Sequence, residues 1–91
     1  MAGFATLAAR LNMSEQELER ESLRVYLQQR LREAQAEIVS LCSKYGVQSA
    51  AEMEARYRDG TLPEAGTWED FFRLDHLEAR RDELASMLKE L

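Results

Sequence analysis

LRVYLQQRLREAQAEIVSLCSKY, residues 23 to 45, decides the fold. Within it Leu23, Leu27, Leu31, Ala34, Ile38, Leu41 and Tyr45 recur in steps of 4, 4, 3, 4, 3 and 4. A helix turns about 100° per residue, so this rhythm gathers all seven on one face. A single helix has nothing of its own to bury such a stripe against, and the remaining chain must cover it. Upstream, Ser14-Glu15-Gln16-Glu17 reads as a capping box, which starts the helix near residue 15. Downstream, Gly46 suits the left-handed position after Tyr45, and Lys44 lies in the last turn. Val47 is then placed to pack back on Leu41 or Cys42.

The later chain supplies the cover. Ser49-Ala50-Ala51-Glu52 is a second capping box, opening a short helix through Met53 and Tyr57 that closes at Gly60. Residues 61–66 are a connector punctuated by Pro63 and Gly66. Thr67-Trp68-Glu69-Asp70 is a third, weaker box, because Asp is short for the reciprocal bond. From about residue 68 to the end, Leu74, Leu77, Leu84, Leu88 and Leu91 keep heptad spacing, with Arg81 in the slot between Leu77 and Leu84. Arg81 either snorkels to solvent over its stem or pairs with a seam-edge carboxylate that fixes register. The expected fold is all-α: two long antiparallel helices in a helical hairpin, joined by a short helix. A core this thin favours oligomerisation, so two hairpins are expected to form a homodimeric four-helix bundle. Residues 1–14 form an N-terminal arm or short helix, and residues 15–91 the hairpin domain.

Composition excludes more than it assigns. Seventeen acidic and 12 basic residues give a net charge of −5, which disfavours non-specific binding to nucleic acid or an anionic membrane. No run approaches the roughly 20 apolar residues of a membrane span, and the glutamate-rich N-terminal region lacks a signal-peptide core. A cytoplasmic location is expected. The lone cysteine, Cys42, reads as a small buried residue. The lone histidine, His76, has Asp75 and Glu78 nearby at spacings that never set two ligands on one helical face. No catalytic, metal or cofactor site is expected.

Residues 7–18, LAARLNMSEQEL, resemble the centre of a helix-turn-helix, with Asn12 in the place of a turn glycine. The would-be recognition helix carries Glu15, Glu17, Glu19 and Glu21, which phosphates repel. Too little chain precedes it for a supporting helix.

Two patches lie off the stripe. Leu18 and Val25 sit nearly opposite it, in a seven-residue series with Leu11 and bordered by Tyr26. Either residues 1–13 fold back over them or another chain does. Trp68 and Phe72 form an i, i+4 pair to one side of the seam that Phe71 reaches. They either pack on the middle helix beside Tyr57 and Leu62 or anchor a partner. Leu18, Val25, Tyr26, Trp68 and Phe72 are the candidate partner-binding residues.

Glu21 to Leu27 (ESLRVYL), followed by Leu31-Arg32-Glu33, is similar to the opening helix of many small prokaryotic antitoxins. Lys44-Tyr45-Gly46-Val47 and Thr67-Trp68-Glu69-Asp70-Phe71-Phe72 look like a set of short helical bacterial and archaeal proteins associated with toxin–antitoxin gene pairs. The resemblance covers residues 15–91. It implies a non-catalytic protein-binding module that masks a partner toxin by occlusion. Antitoxins often add an N-terminal DNA-binding strand or helix-turn-helix; the strand is missing here, so autoregulation is not implied. The alternative is a homo-oligomeric structural adaptor, and a third reading is a DNA-binding regulator through residues 7–21.

Overall fold

The computed structural model describes residues 3–91, and every regular element among them is helical. These are α1 (Phe4–Arg10), α2 (Glu15–Tyr45), α3 (Ala50–Asp59) and α4 (Trp68–Lys89). The molecule measures 61 × 24 × 16 Å with a radius of gyration of 19.2 Å. A compact chain of this length would have about 12 Å, so the long helices set the shape.

The ends of α2 follow the local chemistry of its sequence. Ser14 Oγ accepts from the Glu17 amide at 3.0 Å, and Glu17 returns the bond to the Ser14 amide at 3.1 Å. At the far end Gly46 is left-handed (φ 63°), and the Val47 amide donates back to the Cys42 carbonyl at 3.0 Å. Asn12 ends α1 the same way (φ 58°), with Met13 donating to Ala8 and Asn12 to Ala9. It takes the conformation for which a turn glycine is common. Residues 4–10 are thus a short helix.

The other two boxes depart from expectation. Ser49 does cap Glu52, but the Glu52 carboxylate takes the Gln48 amide instead of closing the box on Ser49. Thr67 makes no cap bond at all. Its backbone is not in the extended conformation of Ser14 and Ser49 (φ −120°, ψ −19°), and its hydroxyl is turned back toward the preceding turn, donating to the Pro63 carbonyl at 2.6 Å.

The core gathers where α2, α3 and α4 meet. Ala34, Ile38, Val47, Ala50, Met53, Leu74 and Leu77 are buried together, bordered by Leu41, Cys42, Tyr45, Tyr57, Leu62 and Phe71. Leu84 continues the α4 seam at 1% exposure. The α2 stripe is not buried along its whole length. Leu27 and Leu31 are half-buried and Leu23 is 46% exposed, because the covering side chains thin out toward the N-terminal end. Cys42 is half-buried, not buried, and desolvation beside Glu78 and Glu52 holds its thiol pKa above the ordinary value. Arg81 turns its guanidinium to the adjacent Asp82 at 3.0 Å and makes no pair with a seam-edge carboxylate of α2 among the described residues.

Polar contacts between α2 and α4 run in opposite senses along the two helices. Lys44 meets Asp70 at 2.8 Å, and the Tyr45 hydroxyl donates to the same Asp70 oxygen. Seven residues earlier, Glu37 takes a two-pronged bond from Arg73 at 2.5 and 2.7 Å. Arg73 holds the Glu37 carboxyl below its usual range, and Lys44 with Tyr45 does so for Asp70. A lowered folded-state pKa adds stability that is whole above the unfolded carboxylate range, about pH 4 to 4.5, and is lost as pH falls through the lowered values. The urea midpoint should therefore fall on acidification below about pH 4.5. The double variant Glu37→Gln/Asp70→Asn should show a flatter acid limb; an unchanged limb would place the acid sensitivity elsewhere.

Candidate functional site

The strongest surface feature stands at the start of α4. A turn from Glu64 fixes it: the Thr67 and Trp68 amides both donate to the Glu64 carbonyl, at 3.1 and 3.2 Å. The Thr67 hydroxyl proton is committed to Pro63, so the Tyr57 hydroxyl must be the donor in its 2.8 Å bond to Thr67 Oγ1. That bond ties α3 to the turn and sets Tyr57 against α4. From there four rings run in sequence. Tyr57 meets Phe71 edge-on (5.8 Å, 78°), Phe71 tilts against Phe72 (5.5 Å, 57°), and Phe72 meets Trp68 edge-on (5.9 Å, 80°). These separations suit favourable aromatic contact.

Phe71 alone of the α4 aromatics takes the place expected for Trp68 and Phe72, against Tyr57 and the core. Trp68 is 51% and Phe72 59% exposed, so neither ring is buried against the middle helix. Successive residues differ by about 100° on a helix, and the face that meets α3 passes through Phe71. Between the rings lies an open cleft of about 450 Å3, also lined by Glu54, Arg58 and Glu64. Arg58 is paired with Glu54 at 2.8 Å. An aromatic floor within a charged rim has the composition of a protein-docking surface.

The other three candidates lie on a separate surface, near the opposite end of α2. Tyr26 is 19 residues from Tyr45, or about 28 Å along the helix axis. Leu18 is half-buried, while Val25 is 59% and Tyr26 55% exposed. The short α1 therefore leaves Val25 uncovered, and its own Phe4 and Leu7, with Leu11 just after it, are exposed as well. Arg30 stacks over the Tyr26 ring at 5.5 Å and donates to its hydroxyl at 3.3 Å.

Two residues that the sequence reading did not single out as structural anchors hold α3 in place. Arg56 donates to the Tyr45 and Gly46 carbonyls at 3.2 and 2.9 Å, capping the C-terminal end of α2. Glu78 accepts from the Ala50 amide at 3.1 Å, capping the start of α3 from α4. His76 lines a groove between α2 and α4 with Arg30, Arg73 and Arg80. Among the described residues no group of three or more His, Cys, Asp or Glu side chains is placed to hold a metal ion. No helix among them is long and apolar enough to cross a membrane.

No curated protein and no solved structure matches the chain. A family model does match, over residues 1–91. The chain belongs to the Uncharacterized protein MJ0235 family.

Proposed function

We propose that this protein is a non-catalytic protein-binding module that docks a partner protein over the aromatic cleft beside Trp68. The carrying observation is a pre-ordered row of four rings whose outer members, Trp68 and Phe72, are half exposed. Rings already held in place lose little freedom on binding, which favours them as anchors. The partner inserts an apolar side chain between Trp68 and Tyr57, and its flanking charges meet Glu54, Arg58 and Glu64. In the antitoxin form of this reading, suggested by sequence resemblance, the partner is a toxin masked by occlusion in the cytoplasm. The two long helices act as a helical hairpin, and two hairpins associate as a homodimer.

Trp68→Ala should weaken capture of the partner at least tenfold while leaving the melting transition cooperative. Calorimetry of the purified complex and circular dichroism of the free variant check the two halves. A variant that no longer melts cooperatively would make Trp68 a core residue and remove the docking role. Self-association has separate support in the exposed Val25 and Tyr26 on the outer side of α2. If the homo-oligomer is the whole function, the native mass in host lysate is an integer multiple of the chain's own.

A further inference from the structure

We propose that two copies of this chain pair antiparallel along the outer face of α2, in a register that sets Glu15 of each against Arg32 of the other. The inference rests on the homodimer reading and adds its face, direction and register. Glu15, Leu18, Ser22, Val25, Gln29 and Arg32 recur in steps of 3, 4, 3, 4 and 3. At about 100° per residue they form one stripe opposite the buried one. Leu18 is half-buried and the other five are exposed, so from Ser22 to Arg32 no described residue covers the stripe. Small and short side chains such as Ser22 and Val25 allow close approach of a second helix.

Charge fixes the occupant. Residues 15–21 hold four glutamates against Arg20, a net −3, whereas residues 22–32 hold Arg24, Arg30 and Arg32 with no acid, a net +3. A parallel copy would stack like on like. An antiparallel copy lays the acidic block of each chain over the basic block of the other, and the two blocks balance about a point near residue 23. The alternating seam permits a matching register there, with paired positions summing to 47. Ser22 then faces Val25, Leu18 faces Gln29 and Glu15 faces Arg32. Neither Glu15 nor Arg32 makes an ion pair among the described residues, although Glu21, Arg24, Arg30 and Glu33 do. The end charges of the stripe are left for a partner, and a two-fold axis supplies each to the other.

The test uses the full chain with Cys42→Ser. Sedimentation equilibrium should show a dimer that Glu15→Arg or Arg32→Glu alone weakens at least tenfold. The double variant Glu15→Arg/Arg32→Glu should restore it, since opposite charges again meet. Circular dichroism separates this from lost helix. Leu18→Cys chains mixed with Gln29→Cys chains should form a disulfide-linked dimer on oxidation, and Leu18→Cys chains alone should not. Self-linking of Leu18→Cys would mean a parallel pair and overturn the proposal. A dimer indifferent to both charge reversals and linked by neither pair would overturn the register while leaving the homodimer reading intact. A monomer at all concentrations would overturn both.

Discussion

Replacing Leu74 with alanine lowers the unfolding free energy by about 3 kcal/mol, within the roughly 2 to 5 kcal/mol seen for buried leucines. Leu74 is fully buried, in the cluster that Ala34 and Ile38 of α2 share with Ala50 and Met53 of α3. Truncation removes three side-chain carbons, keeping only the methyl, and leaves a cavity that three helices would have to move together to fill. A domain of this size holds about 5 to 14 kcal/mol in all, so one side chain carries a large share. Leu23→Ala is the matched control. Leu23 begins the same heptad rhythm, yet it is 46% exposed and should cost under about 1 kcal/mol. Urea denaturation of both variants checks the contrast. Equal losses would mean that the buried cluster is not where the stability resides.

The second large effect is expected at a charged residue. Arg56→Ala should cost about 2 kcal/mol, from lost charge-assisted bonds and an uncapped helix end. The last carbonyls of α2 have no partner within the helix, and the Arg56 fork spans two of the main-chain carbonyls there, Tyr45 and Gly46. Glu52 steadies the fork at 3.3 Å. Arg56→Lys keeps the charge but not the fork, so it should recover less than half of the loss. Arg58→Ala, two residues on and bonded only to Glu54, should stay within about 0.5 kcal/mol of the wild type. An Arg56→Ala loss no larger than the Arg58→Ala loss would show that the cap contributes nothing. Thermal melts of the three variants decide it.

What could be read from the sequence was what neighbouring residues decide among themselves. The Ser14–Glu17 box closes because its partners lie three residues apart on one chain segment, and Gly46 turns left-handed because no Cβ opposes it. The leucine rhythm of α4 locates Leu74, Leu77 and Leu84, all buried. The failures have a common cause. Thr67 has the residue type of a cap, but the turn from Pro63 sets its backbone outside the extended conformation and draws its hydroxyl back, away from the amides it would accept from. Which of Trp68, Phe71 and Phe72 would face inward depended on where α3 settles, and no spacing within α4 carries that. Arg56 and Glu78 cap helices from 11 and 28 residues away. In the sequence they are two more charges among many. The same holds for the candidate site: the exposed pair at Trp68 and Phe72 was legible as an aromatic cluster but not as a cleft, since the opposite wall comes from α3.

The two remote caps also determine how the molecule comes apart. Because α3 is fastened to α2 through Arg56 and to α4 through Glu78, neither long helix can peel away at that end without breaking a bond to a charged group. Among the described residues the opposite end has no such fastening: Leu23 stands half open beside Leu91. Opening therefore propagates like a zip from the Leu23 end and halts at α3. The Trp68 cleft sits at the closed end, so the surface proposed to receive a partner stays assembled while the far end breathes.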